Sequence, residues 1–344
     1  MAKTKRYFGV EMTWSRPGLR INESGFSYRH HITSDIRRKA EVELNSDRYR
    51  DNFALVDTDP GCLEYKTRVL SSYTQLRNSY KTARRISESL GLVSHPDKAC
   101  SGGGQVTVGV PTIQQLRGPQ DLSAQAVHIR RFARLLAENP YISWIFGDPS
   151  DNHTHVMFGL NHSDKDFMHR ASALMDTERR ESVKTMRFFL ECGKNEFSQH
   201  VNDKVWGNWP SWHGHDYWGC FWEKDRDCAY ALKLRQYFDP MYSPRGTVLR
   251  DHFSVEMRFF GNPSCLDEQI LHVEFAQALM EMAKGYEPQT EYVRGNFINY
   301  TIDMERCKRA FNSLLKKMNL DPTKYERFLP NLETRFSLGQ DYLN

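Results

Sequence analysis

Several absences narrow the possibilities before any motif is considered. The seven cysteines (62, 100, 192, 220, 228, 265 and 307) are odd in number and scattered, with no C-x-x-C pair, which argues for free thiols in a reducing compartment. No apolar run approaches the ~18 residues of a transmembrane helix. The basic start, Met-Ala-Lys-Thr-Lys-Arg, leads into a strand pattern rather than the apolar core of a signal peptide. Neither sign of charge dominates: 47 Lys and Arg against 43 Asp and Glu give a formal net charge of +4. That excess is too slight to imply a nucleic-acid partner, although it admits an acidic substrate. There is no G-x-x-x-x-G-K-[ST] phosphate loop, no G-x-S-x-G elbow and no H-E-x-x-H pair. Gly102, Gly103 and Gly104 do not complete G-x-G-x-x-G, and they open a strand rather than a helix. With no internal repeat, low-complexity tract or linker, the expectation is one cytoplasmic α+β domain over 1–344, free of membrane and nucleic acid. Its core is placed at about 6–285, with a helical extension over 286–344. Oligomeric state is left open.

What is present is a set of alternating strands. From His252 to Phe260, the apolar Phe253, Val255, Met257 and Phe259 alternate with Ser254, Glu256 and Arg258. A carboxylate and a guanidinium thus share one face of a strand apolar enough for a core. Two readings are open: a cross-strand salt bridge on an ordinary sheet surface, or a cleft where Glu256 holds a cation and Arg258 an anion. Three further segments, 6–14, 61–69 and 103–110, repeat the pattern with Glu11, Glu64 and Gln105 on the polar side. In a shared sheet, Glu11, Glu64, Gln105 and Glu256 would meet on one surface. Carboxylates ~4 Å apart at an effective dielectric of ~20 repel by ~4 kcal/mol per pair, so such a cluster needs cations. An all-oxygen set suits Mg²⁺ or Mn²⁺ rather than zinc.

Helices are expected over 34–52, 71–90, 121–139, 267–284 and 303–318. Ser34 and Asp35 are capping candidates for the first, and Gly91 ends the second. The sequence Asp57-Thr-Asp-Pro-Gly61 reads as a turn before the second strand. An aromatic segment and a turn follow Tyr141, and further strands are expected near 217–223 and 229–235. His153, His155 and His162, or His213 and His215, have the spacing of a zinc set, against solvated histidines in an Asp/Asn-rich loop. Lys66 and Arg68 stand with Glu64 and admit two readings, phosphate contacts or surface charges. Arg84-Arg85 and Arg130-Arg131 read as solvated helix faces.

These segments resemble, in order, the amidoligases of phages and bacteria in the glutamine synthetase-like carboxylate–amine ligase superfamily. The matching residues are Phe8-Gly-Val-Glu11, Asp57-x-Asp-x-Gly-x-x-Glu64, and the Gly-rich strand at 101–109. They continue with the segment from Asn139-Pro-Tyr-Ile-Ser-Trp to Asp151, and Ser254-Val-Glu-Met-Arg-Phe-Phe260 with the helix after it. The resemblance implies a curved, mainly antiparallel sheet backed by helices, with its concave polar face as the active site. It further implies ATP, divalent cations, and amide formation between small-molecule or peptide carboxylates and amines through an acyl phosphate.

By position, Glu11, Glu64 and Glu256 fall where the superfamily holds metal, with Glu64 and Glu256 also catalytic. Arg258 falls where it faces the phosphoryl group or the substrate carboxylate. From their place on the polar face, Lys66, Arg68 and Gln105 are cofactor-binding candidates, with Gln105 as a neutral oxygen ligand of the metal or a residue that orients one. Two departures stand out: Glu11-x-Thr13 replaces a frequent Glu-x-Glu, and Gln105-x-Thr107 replaces a frequent His-x-His. They motivate an alternative, a degenerate member that binds without catalysis. A zinc enzyme built on the histidine groups is the third reading.

Overall fold

The computed structural model describes residues 6–17, 32–59, 62–94, 104–115, parts of 124–147, 232–236, 253–257, 259–286 and 303–333. Strands β1 (Arg6–Ser15), β2 (Phe53–Asp59), β3 (Cys62–Thr67), β4 (Val106–Thr112), β5 (Leu232–Gln236) and β6 (Phe253–Met257) form one sheet in the order β2-β3-β1-β4-β6-β5. Every neighbouring pair is antiparallel. Among the described residues the sheet is open, with β2 and β5 at its edges. The four strands read from alternation alone are the central four, side by side.

Their alternation explains which face is apolar. Phe8, Val10, Met12 and Trp14 of β1, Leu63 and Tyr65 of β3, Val106, Val108 and Val110 of β4, and Val255 and Met257 of β6 are all buried on one side. Against that side pack α2 (Tyr73–Ser89) on β1 and β3, and α4 (Leu266–Lys284) on β4, while α1 (Ser34–Ser46) packs on β2. Trp14 meets Tyr65 edge-on at 5.5 Å and Tyr80 of α2 at 5.8 Å, which joins the sheet to that helix. Helix α2 starts where Ser72 Oγ accepts from the Gln75 amide at 3.2 Å, and ends at Gly91, whose φ of +74° suits glycine.

A second aromatic layer forms around Phe146, the last residue of α3 (Tyr141–Phe146). Its ring lies 4.4 Å from Phe275, 4.9 Å from Phe328, 5.1 Å from Phe260 and 5.8 Å from Phe311 of α5 (Met304–Lys317). The C-terminal helices, expected as an extension, therefore contribute Phe311, Leu315, Tyr325 and Phe328 to the same buried cluster as the sheet.

Two local expectations change. Of the turn expected at 57–61, residues 57–59 belong to strand β2 instead: Val56 pairs with Tyr65 and Asp57 with Glu64, which leaves residues 60–61 for the connection. Helix α1 is capped at Thr33, without a side-chain cap bond, rather than by Ser34 or Asp35. In the helical stretch that includes Phe132, the buried residues are Gln125, His128, Phe132, Leu135 and Leu136; of the expected stripe, Leu122, Ala126, Ile129 and Ala133 lie outside the described residues. The tryptophan-rich segment at 205–222, the strand near 217–223 and Arg130 also lie outside them, whereas β5 overlaps the strand expected at 229–235. Arg84 and Arg85 are exposed and paired, with Glu88 at 2.7 Å and Asp47 at 2.9 Å. No helix among the described residues is long and apolar enough to cross a membrane.

Gly104, the described residue of the glycine run, has a steric requirement. A Cβ on Gly104 would sit 2.0 Å from the Gly261 carbonyl oxygen, where the Gly104 amide donates to Phe260 O at 3.2 Å. Gly104→Ala should cost about 2 kcal/mol or more, read as a lowered melting temperature, because backbone rather than a movable side chain blocks the methyl group.

His128 gives the fold an acid-sensitive point. Its Nε2–H donates to Met280 O at 2.7 Å in a buried setting. Burial, helped by the Arg6 charge and opposed by the Met280 bond, depresses its pKa from 6.5 to about 4. The folded form thus stays neutral where the unfolded chain is protonated. This contribution is full above pH 6.5 and is lost as pH falls towards 4, by up to ~3 kcal/mol. In acid-unfolding curves, His128→Gln should flatten the stability profile across that window.

Candidate functional site

The sheet face opposite the apolar core is also buried, and it carries charge. Glu11, Thr13 and Ser15 of β1, Glu64 of β3, and Ser254 and Glu256 of β6 are all buried, with Glu11 8% exposed, Glu64 6% and Glu256 5%. An alternating strand puts every second residue on this side, so one register decision per strand delivers the set.

Pairing then places each group. Glu11 stands directly opposite Lys66, and Thr13 directly opposite Glu64. Asp57 on β2 continues the second row beyond Glu64. Thr107 stands opposite both Gly9 and Glu256, and Lys233 of β5 is in register with Glu256. Lys66 is therefore the cross-strand partner of Glu11 and the same-face neighbour, two residues on, of Glu64. Its Nζ lies 2.8 Å from Glu64 Oε2 and 3.3 Å from Glu11 Oε2.

Glu256 lies two strands from Glu11 and three from Glu64. At the ~4.8 Å spacing of neighbouring strands, that is roughly 10 Å and 14 Å. The three carboxylates share a face, yet they do not close on one point. Among the described residues, no group of three or more His, Cys, Asp and Glu side chains is arranged to hold a metal ion. Glu256 enters the cluster through its field, which adds to those of Glu11 and Glu64 in stabilising the charged form of Lys66.

The protonation of the pair follows from this burial. The Glu64 carboxyl is pushed well above the usual carboxylate range, first by burial, then by the negative charge of Glu11 and a hydrogen bond with it. Lys66 acts in the opposite direction on Glu64. The ammonium itself is held above its ordinary value by Glu11, Glu64 and Glu256, against the cost of its own burial.

The other expected site residues separate. Gln105 sits beside Glu11 at the start of β4, half-buried, and its carbonyl accepts from the Glu11 amide at 3.0 Å. Arg68 is turned to β2: its Nε donates to Phe53 O at 3.0 Å and its amide to Asn52 O at 2.7 Å. Arg258 and the histidines 153, 155, 162, 213 and 215 lie outside the described residues.

Several contacts that patterning did not single out help to hold the sheet that carries this face. Asn262 clips onto β1 where β4 no longer runs beside it: Thr13 N donates to its Oδ1 at 3.4 Å, and its Nδ2 donates to Thr13 O at 3.2 Å. Two residues on, Ser15 exchanges backbone bonds of 2.9 and 2.8 Å with Val93. Arg6 is fully buried on the helix side, paired with Glu281 of α4 and bonded to Val110 O. An Arg opening an apolar alternation, with a carboxylate on a later amphipathic helix, is the only sequence trace of that pair. Nothing local marks Asn262.

No family model and no curated protein matches the chain. A solved structure described as the crystal structure of a novel glutamine synthase homolog superposes with a TM-score of 0.44 at 11% identity, over 97% of this chain and 67% of that one. A superposition at that level assigns neither family nor activity.

The carboxylate pair sets the sign of a pH effect. Glu64 binds its proton more tightly folded than unfolded, so its contribution is fully present below its ordinary value of 4.5 and is lost as pH rises towards the folded value. Glu11, Lys66 and Glu256 are the charges that act with it. In metal-free buffer the melting temperature should fall between about pH 5 and about pH 9, and Glu64→Gln should remove most of that slope.

Proposed function

We propose that the chain is an ATP-dependent carboxylate–amine ligase, acting through an acyl phosphate, with the charged sheet face as its active site on a glutamine synthetase-like fold. The observation that carries this reading is the placement of Glu11, Glu64 and Glu256 on one buried face, with Lys66 bridging the first two. The ordered motif resemblance, from Phe8-Gly-Val-Glu11 to Ser254-Val-Glu-Met-Arg-Phe-Phe260, supports it in sequence.

The residues suit Mg²⁺ or Mn²⁺ in charge and donor type. The carboxyl groups of Glu11, Glu64 and Glu256 outnumber the Lys66 ammonium, and all the ligating atoms are hard oxygens. Mg²⁺ is commonly held by one or two carboxylates, with waters and substrate phosphates completing its shell, so the pair Glu11 and Glu64 suffices. When bound, the ion supplies charge neutralisation for phosphoryl transfer between two anions.

The chain's own residues do the rest. Lys66 offers a cation close to the two carboxylates, with its side chain 27% exposed and within reach of a phosphate oxygen. In the reaction, the substrate carboxylate attacks the terminal phosphorus and ADP leaves; the amine then attacks the acyl carbon, phosphate leaves and a proton is shed. Arg258 is proposed as the fork that holds phosphate or substrate carboxylate, and Arg68 and Gln105 as residues along the nucleotide.

A second reading is favoured by one observation. Lys66 already partly neutralises the pair, and Thr13 and Gln105 stand where the superfamily often has a carboxylate and an imidazole. A protein that keeps the fold and binds without catalysis would have these features.

A screen of carboxylate and amine pairs, peptides included, for Mg²⁺-dependent ADP release separates the two. Ligase activity is expected, and Glu256→Gln, Glu64→Gln and Arg258→Lys should each cut turnover by about 100-fold or more without loss of the folded circular dichroism spectrum. No ADP release from any pair, together with no divalent-ion binding in calorimetry with or without ATP, would leave the binding-protein reading.

A further inference from the structure

The described residues hold several polar features that the proposed chemistry does not use. Arg6 and Glu281 join sheet to helix and are accounted for by packing. Gln269 is fully buried on α4 with no hydrogen-bond partner for its amide, on the apolar side of the fold. The polar face offers more. Thr13 is 1% exposed, its Oγ1 has no hydrogen-bond partner, and it stands directly opposite Glu64. A buried hydroxyl left without a partner costs ~1–3 kcal/mol, so it points to a group that the resting cluster lacks.

That hydroxyl flanks an ammonium in an unusual position. Lys66 Nζ bridges Glu64 and Glu11 at 2.8 and 3.3 Å, the ground between two buried carboxylates where a cation would be held. An ammonium brings one charge to two carboxylates and can be drawn out along its flexible stem. A divalent ion brings two, and its shell takes neutral oxygens such as hydroxyls readily. Occupancy of the pair by the ion and by Nζ is mutually exclusive on both charge and space.

We infer that Lys66 is a tethered competitor for the Glu11–Glu64 pair: a divalent cation must displace its ammonium, gains Thr13 Oγ1 as a neutral oxygen partner, and releases Lys66 to face an incoming phosphate. This rests on the reading of the face as a cation and phosphate site. It adds a coupling that the reading does not require, in which the cation weakens the hold on Lys66 and an anion arriving for Lys66 strengthens cation binding. The reciprocity is thermodynamic, since each ligand removes the other's competitor.

The test is Mn²⁺ binding by calorimetry to the full chain without nucleotide. Lys66→Met should bind Mn²⁺ about tenfold more tightly than wild type or better, Lys66→Arg should show no such gain, and adding Thr13→Val to Lys66→Met should lose part of it. Circular dichroism melts establish that each variant is folded. A wild-type measurement avoids reliance on variants: reductive methylation of Lys66, followed by mass spectrometry, should accelerate as Mn²⁺ is added, because an ammonium clamped by two carboxylates reacts slowly. Equal or weaker Mn²⁺ binding by folded Lys66→Met, or a Lys66 methylation rate indifferent to Mn²⁺, overturns the inference. The two readings fail separately. ADP release without a gain in Lys66→Met keeps the ligase and removes the competitor; a gain without ADP release does the reverse.

Discussion

Two carboxylates buried side by side on a sheet face repel each other and lose hydration, and the polar face depends on what offsets that. Lys66 supplies the offset from the neighbouring strand, helped by a proton that Glu64 holds more tightly than a free carboxyl would. Breaking such a pairing by removing one partner leaves an uncompensated buried charge, which is far more costly than the pairing is stabilising. The register of β1 against β3 follows the same logic. A slip of β1 by one residue would put Glu11 and Thr13 into the apolar layer beside Leu63 and Tyr65 of β3, and turn Val10, Met12 and Trp14 to the charged side.

The chain solves two problems with one strand pattern. On one side, β-branched and aromatic residues meet α2 and α4, and the ring cluster around Phe146 extends that layer to the C-terminal helices. On the other, short and charged side chains remain buried without an apolar core. The cost of that second face is carried by the first. This fits a site whose groups are held on rigid strands rather than on loops.

The four central strands were legible because period-2 alternation is a local signal, and each carried its polar residue on the face where the structure has it. Lys66 was legible as a candidate from its place beside Glu64, but its role was not. The bridge to Glu11 depends on which residue stands opposite, and pairing register is a property of two strands at once. The roughly 10–14 Å between Glu256 and the other carboxylates was equally hidden, since strand order is not written in any one segment. β2 was missed because Asp57, Thr58, Asp59 and Pro60 are turn formers, and pairing with β3 overrode that preference for all but the last residues before Gly61. Arg6–Glu281 and Asn262–Thr13 join residues more than 200 positions apart, beyond the reach of any periodicity.

Asn262 also gives the sheet a means of measuring itself. It follows β6, the strand that carries Glu256, yet its amide grips the backbone of Thr13 on β1, the strand that carries Glu11. Between them runs β4, whose first residues are fixed by the close approach of Gly104 to Gly261, immediately before Asn262. The chain thus closes a short mechanical loop, β1 to β4 to β6 and back to β1, in which any sliding of one strand must be matched by the others. The separation of the two acidic stations is set by this loop as by a fixed gauge. It would hold even when the charges on those stations are neutralised.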